Sequence, residues 1–395
     1  MGEVEDVLGR LRRYPDVEAQ NLYAVDAADR LILDVAAEAL DSVDSGKVAV
    51  IGDGYGALTL GAIARHHLRD LRVHQDLLTG ERALANNART IGYTDRYTSY
   101  PLDHRLLDGV QVVLLRLPRA LAGLAEIADA IARYAAPEVR IFAGGRDKHL
   151  TKSMNDVLAE SFSEVRASRG RQKSRTLLVH GPKPVDDAPP FPVREHLRDL
   201  GIAVAGGVPL DELAVVAHGA AFSGTRLDIG TRFLLRHLRW MKPDARDAID
   251  LGCGTGIMAV ALAKAREGIK VLGTDQSSAA VGSAAATVRA NDVADRVSVV
   301  RDDAMSSAAD NSADLVLCNP PFHVGAAVHT GSAIKMFTET GRVLRPGGEL
   351  WIVYNSHLNY RSLVERLVGH TEVIGRNRKF TVTRSVRGLR EVRQR

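Results

Sequence analysis

A strand, a glycine turn and a helix written twice, 200 residues apart, constrain this chain more than any other feature. Val48-Ala49-Val50-Ile51 enters Gly52-Asp53-Gly54-Tyr55-Gly56, and Ala248-Ile249-Asp250-Leu251 enters Gly252-Cys253-Gly254-Thr255-Gly256. Short apolar runs of this kind read as buried strands, and three glycines let the following backbone turn sharply and approach a ligand closely. The parallel continues beyond the turns. Leu71 to Asp76 stands against Val271 to Asp275, Val110 to Pro118 against Asp314 to Pro321, and Ala136 to Phe142 against Arg345 to Val353. Strands alternating with helical segments in both halves give an α/β chain of two doubly wound parallel sheets, which we read as an internal duplication.

The length of 395 residues fits two domains better than one core. Between the halves, residues 181–192 hold five prolines in twelve positions, which forbids a packed element and predicts a stiff connector over 181–207. The domains are therefore expected at 1–180 and 208–395. No apolar run reaches the roughly 18 residues of a membrane helix, and the acidic opening is unlike a signal peptide. A cytoplasmic protein with no membrane partner is expected. Two cysteines, Cys253 and Cys318, supply neither a disulfide framework nor a metal cluster, so no metal is expected.

Three carboxylates follow the strands of the second half. Asp250 precedes the first glycine by two residues, where it suits an ammonium group directly or through water. Asp275 ends the next strand, placed for two ribose hydroxyls. Asp303 ends the third and suits an adenine amino group, with Asp302 as the alternative holder of that position. Each has a plainer role open to it: Gly252 and Gly254 as packing glycines, Asp275 as a helix cap. Together they describe a ligand with an amino-acid end, a ribose and an adenine but no phosphate, which is S-adenosylmethionine (AdoMet).

The fourth strand ends in Asn319-Pro320-Pro321-Phe322. Neither proline can continue a helix or donate to a ladder, so the turn is stiff. If Asn319 Oδ1 and the Pro320 carbonyl accept the two N–H bonds of an aromatic amine, its lone pair is freed from the ring and turned to the methyl group. Positioning and electrostatics then carry the rate. Phe322 is placed to stack on a base flipped or already unpaired.

These motifs resemble those of the class I AdoMet-dependent methyltransferases, and the whole chain is similar to the tandem-domain ribosomal RNA guanine-N2 methyltransferases. Beside the motifs above, the resemblance rests on Phe222-Ser223-Gly224, Leu227-Asp228-Ile229-Gly230, Gly347-Gly348-Glu349-Leu350, Tyr354 to Tyr360 and Asn377-Arg378-Lys379-Phe380. In the first half it rests on Asp53 to Leu58, Leu117-Pro118-Arg119 and Gly144 to His149. It implies two tandem Rossmann-like methyltransferase domains, a catalytic second copy that uses AdoMet, and methylation of a guanine N2 in ribosomal RNA or a ribosomal subunit. It also implies that Phe222, Ser223 and Asp228 line the methionine end of the cofactor pocket, although Phe222 reads equally as a core residue. Adenine N6 and a protein glutamine remain possible acceptors for the same tetrapeptide, and a ribosome-assembly factor with incidental methylation is the reading from another class.

The first half has lost the chemistry. Val50 stands where the second half has Asp250, and Arg116-Leu117-Pro118-Arg119 where it has Asn319 to Phe322; Asp76 and the glycines survive. This degenerate copy is expected to be an RNA-binding platform through Arg116, Arg119, Arg146, Lys148, Arg169, Arg171, Lys173 and Arg175, although a charge run is also what a solvated face looks like. A second basic stretch, residues 375–395, has eight Lys and Arg against one Glu and suits phosphates or a solvated terminus alike. A monomer is sufficient, since two domains are already fused.

Overall fold

The computed structural model describes residues 2–204, 207, 209–320 and 326–388, and the chain divides into two compact units, Met1–Phe191 and Pro192–Arg395. The first unit holds β1 (Val48–Ile51), β2 (Leu71–His74), β3 (Tyr97–Ser99), β4 (Val112–Arg116), β5 (Arg140–Arg146), β6 (Phe162–Ala167) and β7 (Ser174–Pro182), arranged β3-β2-β1-β4-β5-β7-β6. The second holds a separate antiparallel pair, β8 (Val193–Leu197) and β9 (Leu213–Ala217), before its main sheet. That sheet contains β10 (Asp247–Leu251), β11 (Lys270–Asp275), β12 (Val297–Arg301), β13 (Ala313–Cys318), β14 (Leu344–Asn355), β15 (Gly369–Arg376) and β16 (Phe380–Arg387). Its order, β12-β11-β10-β13-β14-β16-β15, repeats that of the first unit strand for strand.

The inner strands are apolar on both faces because helices cover both faces. In the first unit Val48, Val50 and Leu114 pack on one side, and Ala49, Ile51 and Leu115 on the other. In the second, Ala248, Leu315 and Leu317 face one core, and Ile249, Leu251 and Val316 the other. The outer edge of β9 pairs with a helix instead of a strand. Ser283, Thr287 and Asn291, spaced by four along the helix Ser278–Ala290 and its cap, hydrogen-bond the backbone of His218, Val216 and Ala214.

Three expectations need correction. The sheets are mixed rather than wholly parallel, since β7 runs antiparallel to β5 and β6, and β16 antiparallel to β14 and β15. The connector is shorter than 181–207, because β7 runs to Pro182 and β8, just beyond the proline-rich stretch, starts at Val193 and pairs with β9. The ladders also reset the comparison of the halves. Ile51 lies opposite His74 and Leu115, as Leu251 lies opposite Thr274 and Cys318. Gln75, not Asp76, therefore stands in the position of Asp275, and Arg116 in that of Asn319. Among the described residues no helix is long and apolar enough to cross a membrane.

Candidate active site

The carboxyl ends of β10, β11 and β13 bring the expected residues to one edge of the second unit. Asp250 is completely buried beneath the glycine turn. One carboxylate oxygen accepts the Ala259 N–H at 2.9 Å, and the other has no hydrogen-bond partner. Burial pushes its pKa up to about 7, with the nearby Asp275 charge adding to the rise and the Ala259 N–H opposing it. A buried carboxylate oxygen without a partner is costly unless a ligand or water supplies the missing donor.

Gly252 and Gly254 adopt left-handed backbone, with φ of +72° and +54°, and a Cβ at either would meet no atom within 4 Å. Their backbone thus borders open space, and Asp275 braces it, accepting from the Gly254 N–H at 3.0 Å and the Ser277 N–H at 2.9 Å. Gly256 has a different job from the one expected. Its Cβ would lie 3.0 Å from that of Ala284, and its N–H is taken by the Cys253 carbonyl, so this glycine packs helix on helix. Asp303 is buried and paired with Lys335, a residue sequence reasoning missed because it lies 32 positions away. The neighbouring Asp302 is consumed locally, accepting from Ser306 and from both the N–H and the hydroxyl of Ser307.

Asn319 follows β13. Its Nδ2 donates to Asp228 Oδ2 at 3.1 Å and to the Thr231 hydroxyl at 3.0 Å, while its Oδ1 is buried without a partner. Asp228 is the cap of the helix Ile229–Leu235, where it also accepts the N–H groups of Gly230 and Thr231. It was expected against the cofactor; the structure makes it both a helix cap and an anchor for the Asn319 amide. Thr231 was not expected at all, and the only hint was its place three residues into a capped helix.

Phe222 and Ser223 lie in the turn before that helix. Phe222 is 61% exposed, which rules out the core role, and Ser223 is held at a φ of +64°. With Asp228, Thr231, Gly252, Gly254 and Asn319 they line a narrow cleft of about 50 Å³. A larger hollow of about 390 Å³ lies at the opposite ends of the strands, among Asp247, Lys270, Val297 and Ala313. It carries no glycine turn and none of the expected site residues. Pro320, next to Asn319, is buried, whereas Pro321 and Phe322 lie outside the described residues. Cys253 and Cys318 are buried, and burial pushes both thiols well up, as suits apolar filler rather than nucleophiles.

The same edge of the first unit is filled by its own side chains. Arg116 pairs with Asp26 at 3.0 Å and Asp29 at 3.2 Å, so the expected RNA contact is instead a mostly buried ion cluster. The geometry echoes the second unit. Asp26 caps the helix Ala27–Val35 through Ala28 and Asp29 as Asp228 caps its own, and a guanidinium replaces the amide. Burial pushes Asp29 up to about 7 against the pull of Arg116. A Cβ on Gly52 would lie 3.1 Å from the Arg116 carbonyl, where Gly252 has open space, and Gln75 donates to the Asp53 carbonyl. Of the other expected contacts, Arg171 pairs with Asp34. Arg119, Lys148 and Arg146 surround His149, whose pKa is lowered by burial and by these cations.

Comparison with known proteins agrees with this division. The RLMG N-terminal domain family matches residues 3–183, and the Methyltransferase small domain family matches residues 212–384. The chain is 36% identical over 386 residues to the ribosomal RNA large subunit methyltransferase G of Streptomyces coelicolor, covering 95% of this chain and 97% of that one. It is 34% identical over 377 residues to the protein of the same name from Pseudomonas syringae pv. syringae, covering 95% and 96%. A solved T. thermophilus 16S rRNA N2 methyltransferase, in complex with AdoMet and guanosine, matches with a TM-score of 0.70 at 20% identity, over 92% of each chain. The chain therefore belongs to the ribosomal RNA large subunit methyltransferase G family.

Proposed function

We propose that this chain methylates the exocyclic N2 of a guanine in ribosomal RNA, using AdoMet. The observation that carries the reading is the oriented amide of Asn319, whose donor end is held by Asp228 and Thr231 and whose carbonyl oxygen is left for an incoming amine. The residues present fit the cofactor. Asp250 keeps an unpartnered buried oxygen suited to an ammonium group, and Gly252 and Gly254 border open space. Asp275 and Asp303 stand at the ends of successive strands for the ribose and the adenine. When bound, AdoMet supplies an electrophilic methyl group on sulfonium. Asn319 and the Pro320 carbonyl fix the acceptor nitrogen, so that no general base of shifted pKa is needed and the proton leaves afterwards. Phe222 and Ser223 line the cleft beside the Asn319 amide.

The first unit serves as the RNA platform, with Arg119, Arg146, Lys148, Arg169, Lys173 and Arg175 meeting phosphates. The lost Asp250 equivalent and the Arg116 cluster give an expected binding stoichiometry of one AdoMet per chain by calorimetry; two equal sites would contradict it. A single chain is the working unit, acting in the cytoplasm where its substrate is. Nucleoside-resolved mapping of ribosomal RNA tests the reading. Cells without the gene should lack one N2-methylguanosine, restored by the wild-type protein and not by Asn319→Ala. A complete set of N2-methylguanosines in the deletion strain would refute it.

A further inference from the structure

The turn between β15 and β16 carries charge that the methyl-transfer geometry does not use. Arg376, Arg378 and Lys379 are all exposed there. Among the described residues none of the three has a carboxylate within ion-pair distance, whereas Arg384 on the same hairpin is neutralised by Glu349 and Glu372. The turn is stiff. Asn377 Oδ1 accepts the N–H groups of Lys379 at 2.8 Å and Phe380 at 2.7 Å, and the Lys379 carbonyl accepts the Ser356 N–H at 2.9 Å. Three cations on an ordered turn need little further ordering to bind an anion.

The turn lies at the acceptor site. β16 starts opposite Asn355 at the end of β14, which places the hairpin tip on the carboxyl edge of the sheet. A Cβ on Gly230 would lie 3.3 Å from Phe380 Cε1 and 3.6 Å from Asn319 Nδ2. One glycine therefore separates the ring that follows Lys379 from the acceptor amide.

The first unit holds an independent clue. Its Asp147 N–H donates to the Lys173 carbonyl at 2.9 Å, as the Ser356 N–H does to that of Lys379, so the two lysines occupy equivalent positions. That copy has Val50, Gln75 and Arg116 where the second has Asp250, Asp275 and Asn319, yet it keeps a lysine at the hairpin tip, flanked by Arg171 and Arg175. A cation retained where the methyl-transfer groups are gone has a use separate from that chemistry.

We infer that Arg376, Arg378 and Lys379 form a phosphate-binding site for the substrate strand, gripping the phosphodiesters that flank the base delivered to Asn319. The inference rests on the RNA methyltransferase reading above. Phosphate contacts fix register without reading sequence, which is what an enzyme acting on a flipped or unpaired base needs beside its pocket.

The test is the full-length double variant Arg378→Ala/Lys379→Ala, with Arg378→Lys/Lys379→Arg as the charge-preserving control. Equilibrium binding to naked ribosomal RNA and to ribosomal particles is measured against salt, beside steady-state methylation and AdoMet binding. The alanine variant is expected to raise the RNA Kd and KM about tenfold at ~0.1 M salt. It should also flatten the plot of log affinity against log salt by about 1.4, two contacts at ~0.7 each for single-stranded RNA. Turnover at saturating RNA, AdoMet affinity and melting temperature should stay at wild-type values, and the control should behave as wild type. An unchanged salt slope would overturn the inference, with or without weaker binding. Weaker binding confined to protein-bearing particles would assign the turn to a ribosomal protein and overturn it too. Wild-type protein that shows the salt-dependent effect of these residues but transfers no methyl group would sink the functional reading and leave the phosphate site standing.

Discussion

Asn319→Ala is expected to lower kcat for methyl transfer by about 10² to 10³, the cost typical of removing one group poised on the transition state. AdoMet affinity should stay within about twofold, because the amide holds the acceptor and not the donor. The orientation of that amide follows from its neighbours. Asp228 Oδ2 already accepts the Gly230 and Thr231 N–H groups, so the amide end that meets it at 3.1 Å has to be the NH₂, and Oδ1 is left without a partner. A flipped amide would set two acceptors against each other. Thr231→Val removes one of the two acceptors that hold Nδ2 and should cost about fivefold in kcat, the worth of one ordinary hydrogen bond, while Thr231→Ser keeps wild-type rates. Single-turnover methylation beside calorimetric AdoMet binding separates these effects. Wild-type turnover by Asn319→Ala would remove the assigned role.

What the sequence made legible is what periodicity and punctuation encode. Apolar runs ending in glycine turns or Asn-Pro gave both sheets and placed Asp250, Asp275 and Asn319 at strand ends. What it hid depends on partners distant along the chain. Asp228 holds an amide 91 residues away, and Arg116 pairs with Asp26 across 90 residues, so a lone reading of either charge assigned it to a ligand. Gly256 looks the same as Gly252 in the motif, and only the helix carrying Ala284 separates a packing glycine from one that borders the cleft. The one-residue offset between Asp76 and the position of Asp275 has a similar origin. Strands of unequal length admit more than one register, and the hydrogen-bond ladder decides between them.

The second large effect is expected at Asp250, and its sign depends on pH. Its folded pKa of about 7 lies above the ordinary 3.8, so the ligand-free folded state binds a proton that the unfolded chain has already released. Asp250 therefore penalises folding increasingly as pH rises from about 4 to 7, and the penalty levels off above that. Asp250→Asn should accordingly melt higher than wild type at pH 8 when free of ligand, and the gain should vanish near pH 4. Binding runs the opposite way, because an ammonium group needs the ionised carboxylate. Wild-type AdoMet affinity should fall about fivefold from pH 7 to pH 6, the loss of ionised form for a pKa near 7. Asp250→Asn should bind about 100-fold more weakly at pH 8, the scale of a hydrogen bond to a charged group, and its affinity should be flat with pH. Calorimetry at pH 6, 7 and 8 beside thermal melts of the ligand-free protein reads both arms. Opposite signs for stability and affinity in one variant are hard to obtain from a merely structural residue, since a packing defect weakens both. A wild-type affinity indifferent to pH over this range would detach Asp250 from the cofactor and leave its buried oxygen to an ordered water.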